Sequence, residues 1–520
     1  MIARPNYELE IPAVNQIDSD YRNQITSPVK THFTIVDPKK TYRLCNRLDV
    51  VIDARDGKGR PVLSGDDYFR ARISNPRLKA SASSDGYVKY IGRGKYQVSF
   101  MLRWPGEVFV DVTLVHPAEA VQILRKIRDD FPSRCGYNGK FVRVVGEKTI
   151  TKFTLCNVFP PDPNKTTCDF SNRRLNSPWF CTLPADMQCA DFAWTCTNSK
   201  WAESRLLPLV TENVAWLFSS LQKKPIKAKG TSKVKVSDKP AGNSSASGCL
   251  NPQLPPCRVG WRSGSSSAAA GYFMGRQWFS NVCRLRSFDA DNANRCLRNK
   301  VVYFHGDSTM RQYYEFLIEK MPTTLKPNPP TKQSNWKVGP SMAESRAYNF
   351  SIHYRHHGYP IRNNWTRASE VMYIADALDK LVATPDTVFV FTIWAHLTAT
   401  NLSYYEDRVV GIRHAVERLH ARSPHTLVLI KTANTRSHGN AMQSFVWSDW
   451  YARELDMKLR ETFRNYDKVA FIDQWSMALG YSSSDHIHPG PEIIEAGVST
   501  LLSYMCPVDS TTGINAGQTW

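Results

Sequence analysis

A serine between a strand and a helix is the first group in this sequence that could do covalent chemistry. In "VVYFHGDSTMRQYYEFL" the apolar run 301–304 predicts a buried strand, and the residues after Ser308 predict a helix. Gly306 permits a tight turn between them. Backbone N–H groups at a helix start stabilise negative charge, as on a tetrahedral intermediate, so Ser308 is a candidate nucleophile. In the alternative interpretation Ser308 is only a helix cap and Asp307 only a loop residue.

A nucleophilic serine needs a base, and the base needs an acid that orients it. The segment "GYSSSDHIHPGPEII" contains the single Asp-x-x-His of the chain, Asp485 and His488. It follows the last predicted strand and precedes the last predicted helix, so it should lie at the same sheet edge as Ser308. His488 is therefore the predicted base and Asp485 its acid, with His486 as the second candidate for the base.

Two further polar residues follow predicted strands at this edge, His396 in "FTIWAHL" and Asn434 in "IKTANT". Each could donate a hydrogen bond to an oxyanion, or else be an ordinary loop histidine and a turn-capping asparagine. Arg311, one helical turn beyond the serine, could bind an acidic group or form a surface ion pair. Together with Gly306 and Asp307, these residues are the predicted oxyanion or substrate group. No metal ligand is expected among them.

The elements that must position these residues alternate between buried strands and amphipathic helices. The predicted strands after the first one are 387–393, 426–431 and 468–473, and the predicted helices are 309–320, 366–382, 404–421, 448–464 and 491–505. Such alternation is typical of a doubly wound, mainly parallel sheet covered on both faces. The interval 299–507 is therefore predicted to be an α/β domain.

The first half of the chain has a different pattern. Residues 27–120 contain alternating segments such as "LDVVIDARD", "YFRARIS", "KYQVSFML" and "EVFVDVTLV", separated by turn residues. Short strands at this spacing predict a β-sandwich. Residues 121–298 consist of cysteine-bearing pieces without sustained periodicity, and we interpret them as a disulfide-rich connecting region.

Cysteines and glycosylation motifs indicate an oxidising compartment. Ten of the twelve cysteines lie between Cys135 and Cys296, and no pair has the Cys-x-x-Cys spacing of a zinc ribbon. Asn-x-Ser/Thr motifs occur at Asn164, Asn243, Asn349, Asn364 and Asn401. Both features favour the secretory pathway lumen or the extracellular space. The first residues, "MIARPNYELE", show no signal peptide, and we expect a truncated or alternative start.

The excess of basic residues favours acidic partners. The chain has 67 Lys and Arg against 47 Asp and Glu, a formal charge of +20, which suits acidic glycans, anionic surfaces or phosphorylated donors. A nucleic-acid partner is not expected, because the lysine-rich stretch 223–239 resembles a linker and no nucleic-acid motif accompanies it. A membrane span is not expected either, since no apolar run approaches about 20 residues.

The sequence resembles the NXPE family, the neurexophilin and PC-esterase domain-containing family. The C-terminal half is similar to the PC-esterase domain through "CLRNKVVYFHGDSTMRQ", "RSPHTLVLIKTANTR" and "DHIHP". The first half is similar to the neurexophilin-like domain through "GDDYFRARI", "GKYQVSFMLRWPGEVFVDVTLVHPAEAV" and "SPWFC". This resemblance implies an Ig/filamin-like β-sandwich followed by an SGNH/GDSL-like domain. It also implies an N-terminal signal or anchor, which the sequence does not show.

The same resemblance implies roles for particular residues. Ser308 would be the nucleophile, Asp485 and His488 would complete its triad, and His396 would occupy the place of an oxyanion-hole asparagine. Where many SGNH enzymes have glycine two positions before that asparagine, this sequence has Trp394.

The implied function is that of a serine-dependent O-acyl (acetyl) transferase or esterase that acts on glycan or glycoprotein hydroxyls. No bound cofactor is expected, and acetyl-CoA is a candidate acyl donor. The alternative is a non-catalytic, secreted, neurexophilin-like binding glycoprotein in which the α/β domain is only a scaffold.

Overall fold

The computed structural model describes residues 19–38, 41–221, 223–240, 254–260, 269–328, 337–437, 439–481 and 486–507. Two residues named above, Asn243 and Asp485, lie outside these ranges.

The first half of the chain is mostly strand. Its strands are β1 (His32–Ile35), β2 (Tyr42–Leu44), β3 (Arg47–Asp53), β4 (Tyr68–Asn75), β5 (Ala80–Ser83), β6 (Lys89–Gly92), β7 (Lys95–Met101), β8 (Gly106–His116), β9 (Gly136–Val145), β10 (Lys148–Asn157), β11 (Thr167–Asp169), β12 (Phe180–Thr182), β13 (Phe192–Asn198), β14 (Lys224–Ala228), β15 (Lys233–Pro240), β16 (Gly271–Met274) and β17 (Gln277–Ser280). Its helices are α1 (Ser19–Arg22), α2 (Ala118–Asp130), α3 (Ser199–Leu206) and α4 (Glu212–Ser220).

The second half alternates between strands and helices. Its strands are β18 (Val301–His305), β19 (Lys326–Pro327), β20 (Ser341–Ser345), β21 (Phe350–Arg355), β22 (Thr366–Arg367), β23 (Thr387–Phe391), β24 (Leu427–Lys431) and β25 (Val469–Ile472). Its helices are α5 (Ala290–Leu297), α6 (Ser308–Lys320), α7 (Ile374–Lys380), α8 (Leu402–Arg422), α9 (Ala441–Trp447), α10 (Asp449–Phe463), α11 (Gln474–Gly480) and α12 (Pro491–Met505).

The N-terminal strands form a sandwich with a single apolar core. The strand order is β17-β16-β5-β4-β8-β14-β1-β3-β7-β6, and β15 joins β8 to β2. Alternate residues of β3, β4, β7 and β8 are buried and pack together, as the period-2 pattern of the sequence predicted. Strands β14 to β17 come from the interval predicted as a connecting region, so the sandwich extends beyond residues 27–120.

The other strands of that interval, β9 to β13, form a second antiparallel sheet together with β22 from the second half of the chain, in the order β11-β12-β10-β9-β13-β22. Two disulfides, Cys156–Cys181 and Cys168–Cys189, cross-link its strands. Strands β9 and β10 are ten residues long, which differs from the short pieces expected. Their outer positions are exposed, so they lack the regular apolar alternation by which sequence patterns reveal strands.

The C-terminal sheet has the order β19-β20-β21-β18-β23-β24-β25, and the last five strands in this order are parallel. The chain runs from β18 to β21 on one side and then returns to β23 on the other side. The strand order therefore reverses between β18 and β23. Open α/β sheets bind ligands at such a switch point, outside the carboxyl ends of the strands.

Helices cover both faces of this sheet. Alternate strand residues such as Val388 and Val390 pack with α5, α6 and α12. Their neighbours Phe389 and Phe391 pack on the opposite face with α7, α8, α9 and α10. This arrangement agrees with the predicted doubly wound α/β domain. One predicted helix differs, because residues 366–373 form β22 and a short 3₁₀ turn, and α7 begins only at Ile374.

The sandwich and the α/β domain share an interface. The hydroxyl of Tyr451 in α10 donates to the backbone oxygen of Leu124 in α2, at 2.8 Å. Buried residues of α2 belong to the same apolar cluster as α9 and α10. Along the described ranges, no helix combines the length and the apolar composition that crossing a membrane requires.

We expect oxidised peptide maps to contain Cys156–Cys181, Cys168–Cys189, Cys257–Cys283 and Cys296–Cys506, with Cys135 and Cys196 as thiols. The Cys296–Cys506 bond ties α5 to the end of α12 across 210 residues. The double variant Cys296→Ala/Cys506→Ala should lose roughly 2–5 kcal/mol of unfolding free energy in denaturant titrations, because a long loop is no longer closed. Cys196→Ala serves as the control. Free thiols at both Cys296 and Cys506 in the native protein would contradict this pairing.

Candidate functional site

The nucleophile candidate lies at the start of α6, at the switch point of the sheet. Asp307 is the N-cap of this helix, and its Oδ1 accepts hydrogen bonds from the Thr309 N–H at 2.9 Å and the Thr309 hydroxyl at 2.7 Å. Ser308 is the first helical residue, so capping does not occupy its hydroxyl. Its backbone N–H belongs to the first turn of the helix, where N–H groups have no intrahelical acceptor.

Gly306 is required by close packing rather than by turn conformation. A Cβ atom at this position would lie 2.6 Å from Thr392 Cγ2 and 2.9 Å from the Thr392 backbone oxygen. The glycine has no left-handed φ angle. The end of β18 can therefore approach the chain leaving β23 only because position 306 has no side chain.

The base candidate contacts the serine directly. His488 Nε2 lies 2.7 Å from Ser308 Oγ. Two side chains hold the loop of His488: Asn434 Nδ2 donates to the Ile487 oxygen at 3.3 Å, and Gln312 Nε2 donates to the Pro489 oxygen at 3.2 Å. Burial lowers the pKa of His488, and nearby positive charges lower it further, against the opposing effect of Asp307. Near neutral pH the imidazole is therefore neutral and able to accept the serine proton.

The third predicted member of the triad, Asp485, lies outside the described residues, and its role stays a prediction. Of the two candidate bases, His488 is the one whose ring contacts Ser308.

His396 lies at the same edge, after β23. Its Nδ1 accepts a hydrogen bond from the Arg362 backbone N–H at 3.0 Å. Burial keeps the pKa of His396 well below its usual value, and the neighbouring charges of His356, Arg362 and His488 act in the same direction. A neutral imidazole whose Nδ1 is an acceptor carries its proton on Nε2. His396 can therefore act as a neutral hydrogen-bond donor near Ser308.

Three imidazoles form the one cluster in the described part of the chain that could hold a metal ion. His356 and His357 directly follow β21, and their candidate ligand atoms and that of His396 all lie within 4.8 Å of one another. However, His356 Nδ1 accepts the His357 N–H at 3.0 Å, just as His396 Nδ1 accepts that of Arg362. The Nε2 atoms of His356 and His396 are then protonated. The hydrogen bonds thus favour a cluster of N–H donors over a set of metal ligands.

A network of buried charged side chains includes Asp307 and contacts Thr309, the residues on either side of Ser308. Asp307 Oδ2 accepts the Ala395 N–H at 3.0 Å, which fixes the loop of His396 relative to α6. Lys431, fully buried, donates from Nζ to Thr309 Oγ1 at 3.1 Å, and the Trp394 indole lies 3.3 Å from the same oxygen. Burial lowers the pKa of Lys431 to about 8, while Asp307 and Asp456 oppose that effect. Trp394 thus packs beside Thr309, the residue that follows Ser308.

Two predicted oxyanion or substrate residues make other contacts. The Asn434 amide nitrogen donates to the Thr435 and Ile487 oxygens, so it positions the loop of His488. Arg311 pairs with Glu315 at 2.9 Å and donates to the Lys337 oxygen at 3.0 Å. The oxyanion or substrate roles of Asn434 and Arg311 stay predictions.

Several residues near the site were not predicted from the sequence: His356, His357, Arg362, Lys431, Arg436 and Trp447. His356 and His357 follow β21, a strand that was not predicted. The available signal was the run "FSIHYRHHG", in which alternate apolar residues end at two histidines.

Comparisons with known proteins agree with the family resemblance. Residues 278–506 match the family model described as "NXPE family member 4-like, C-terminal domain", and residues 32–204 match the model "Neurexophilin". The two matches together cover most of the chain, and the chain belongs to the NXPE family.

Several solved structures show a distant likeness. One is described as a GDSL-like lipase from Parabacteroides merdae, at 14% identity over 40% of this chain and 96% of that chain, with a TM-score of 0.24. A peptidoglycan O-acetylesterase is 10% identical over 40% of this chain and 91% of its own, with a TM-score of 0.21. The Lin-41 filamin domain is 12% identical over 17% of this chain and 82% of its own, with a TM-score of 0.15. At TM-scores this low, the likeness does not identify an activity.

The buried cation at Lys431 should be visible in the pH dependence of Ser308 reactivity. With His488 as the base, Ser308 is expected to react only while His488 is neutral, so its rate should fall as pH drops through the pKa of His488. Lys431 lowers that pKa, and Lys431→Met should therefore move the acidic limb to higher pH while reducing the rate. The measurement is the rate of fluorophosphonate labelling from pH 4 to 9. Lys89→Met, at an exposed position of the sandwich, is the control. An unshifted limb in a folded Lys431→Met protein would contradict this coupling.

Proposed function

We propose that this protein is a serine-dependent O-acyl (acetyl) transferase or esterase that acts on carbohydrate hydroxyls, with an SGNH/GDSL-like domain beside an Ig/filamin-like sandwich. The observation that carries the proposal is the 2.7 Å contact between Ser308 Oγ and His488 Nε2 at the switch point of the sheet. A helix cap alone would not need a neutral imidazole at this distance.

The first half-reaction acylates the serine. Ser308 Oγ attacks the acyl carbonyl while His488 Nε2 takes its proton, and Asp485 holds the imidazole in the required tautomer. The Ser308 N–H and His396 Nε2–H donate to the oxyanion of the tetrahedral intermediate. The C–X bond to the leaving group then breaks, and His488 returns its proton to the leaving thiolate or alkoxide. With acetyl-CoA as donor, the leaving group is the coenzyme A thiol.

The second half-reaction transfers the acyl group. A sugar hydroxyl attacks the acyl-serine, His488 takes the hydroxyl proton, and the same donors stabilise the second oxyanion. Collapse breaks the acyl–Ser308 bond and returns the proton to Ser308 Oγ. When water attacks instead, the product is free carboxylic acid and the protein acts as an esterase.

The cellular setting is proposed to be the secretory pathway lumen or the extracellular space. The disulfides and the match to the neurexophilin model support it. Asn164, Asn349 and Asn364 are exposed, as glycan attachment requires.

Ser308→Ala and His488→Ala should each reduce the rates of acyl transfer and of fluorophosphonate labelling by about 10³-fold or more, because the nucleophile and its base act as one unit. Asp485→Asn should retain more activity than either. Ser219→Ala and His414→Ala, at exposed positions of α4 and α8, are matched controls. Wild-type transfer by a folded Ser308→Ala protein would refute the proposed nucleophile. An unlabelled, inactive wild-type protein would favour the non-catalytic binding glycoprotein.

Acyl transfer should exceed hydrolysis when a glycan acceptor is present, because a bound acceptor has a high effective concentration beside the acyl-enzyme. The test is incubation with labelled acetyl-CoA and a panel of sialylated, sulfated and neutral glycans. The formal charge of +20 predicts a preference for acidic acceptors. Release of free acetate alone, with every acceptor, would reassign the protein as a hydrolase.

A further inference from the structure

Two arginines lie against one indole ring beside the catalytic centre. The guanidinium carbon of Arg362 is 4.7 Å from the centroid of the Trp447 ring, and that of Arg436 is 5.1 Å away. Arg362 lies in the segment after β21, Arg436 in the segment after β24, and Trp447 at the end of α9. Three separate elements of the α/β domain thus bring these side chains together.

These side chains have hydrogen-bond donors without acceptors. The Nε atoms of Arg362 and Arg436 and the Nε1 atom of Trp447 are buried and make no hydrogen bond. Leaving a buried donor unsatisfied costs about 1–3 kcal/mol, so native structures seldom contain it. Three such donors on neighbouring side chains favour the binding of an acceptor.

Neither arginine of the pair forms a direct ion pair within the described part of the chain. In the described ranges, neither Arg362 nor Arg436 has a carboxylate within 4.0 Å. Asp449, an acidic neighbour of Arg436, pairs with Arg70 at 3.1 Å. Burial lowers the pKa of Arg436 to about 10, and the like charge of Arg362 contributes. Partly buried arginines that no carboxylate contacts directly are stabilised when an anion binds.

The pair is close to the reacting groups. The Arg362 N–H donates to His396 Nδ1 at 3.0 Å. Arg436 follows Asn434 by two residues, and the Asn434 amide holds the loop of His488. The charge of Arg436 also lowers the pKa of His488. A group bound to the arginines would therefore lie next to the acyl-transfer centre.

We propose that Arg362, Arg436 and Trp447 form an anion subsite that binds a carboxylate, sulfate or phosphate group of a substrate at the Ser308 centre. The location of the substrate beside Ser308 rests on the proposed function, whereas anion binding itself does not. Guanidinium groups bind such oxyanions through paired N–H donors, and the indole keeps both groups in place before the ligand arrives. The bound anion would fix the orientation of the reacting molecule.

The same chemistry could come from the acyl acceptor or from the acyl donor. An acidic sugar supplies a carboxylate or sulfate, and acetyl-CoA supplies phosphates. Two ratios of kcat/KM distinguish these sources. The first compares a sugar acceptor that carries a carboxylate with the methyl ester of the same sugar. The second compares acetyl-CoA as the donor with the N-acetylcysteamine thioester, which lacks the phosphates.

In the wild-type protein, one of these ratios should favour the anionic form by about 10- to 100-fold, which corresponds to one or two charge-assisted hydrogen bonds. In Arg362→Gln and Arg436→Gln that ratio should fall toward one, and Arg436→Lys should restore part of it. Arg346→Gln, at a side chain that is 92% exposed, is the control and should keep the wild-type ratio. Unchanged ratios in both glutamine variants would overturn the proposal.

Direct binding tests the subsite without catalysis. Inorganic sulfate should raise the Tm of the wild-type and Ser308→Ala proteins, and this increase should be lost in Arg362→Gln and Arg436→Gln. If sulfate stabilises the protein in this arginine-dependent way while acyl transfer is absent, the proposed function fails and the subsite stands. If acyl transfer occurs but the glutamine variants keep both the sulfate effect and the substrate ratios, the subsite fails and the proposed function stands.

Discussion

The buried carboxylate of Asp307 is the contact on which the geometry of the site depends. One of its oxygens accepts two hydrogen bonds from Thr309 in α6, and the other accepts the Ala395 N–H after β23. Ser308 and His396 lie on either side of this carboxylate. The Asp307 side chain is fully buried and accepts three hydrogen bonds. A shift of this side chain would leave the three donors without an acceptor. The carboxylate therefore sets the distance between the nucleophile and the candidate oxyanion donor.

Support for this carboxylate continues into the sandwich. Lys431 lies behind Thr309, and Asp456 accepts hydrogen bonds from the Ala433 N–H at 3.2 Å and from the Tyr87 hydroxyl at 2.7 Å. Tyr87 belongs to the N-terminal half, so the segment between Lys431 and Asn434 is held from both halves of the chain. Removing the sandwich would leave a buried Asp456 oxygen without one of its donors.

The sequence predicted the site best where the order of strands and helices along the chain determines where a residue lies in the sheet. The strand before Ser308, the helix after it and the Asp-x-x-His segment before the last helix place Ser308 and His488 at one sheet edge, because parallel strands share their carboxyl ends. Arg362 and Trp447 could not be found in this way. Their proximity depends on the segment after β21 and on the packing of the seven-residue helix α9, and neither can be located from a periodic pattern. Strands β14 and β15 were missed because their partner β8 lies more than a hundred residues away. Strands β16 and β17 pair with each other, but each has only four residues, too few for a clear alternating pattern.

The strands of the sandwich come from separate parts of the sequence, and this affects the order in which they can pair during synthesis. Strand β8 pairs with β4 on one edge and with β14 and β15 on the other. A ribosome releases β8 first, and then helix α2, strands β9 to β13 of the second sheet and helices α3 and α4, before β14 emerges. During that interval an eleven-residue strand has an open edge, which is a template for pairing with another nascent chain. The cysteine-rich sheet made in the meantime has both of its internal disulfides within its own sequence, so it can be oxidised while the sandwich is still incomplete.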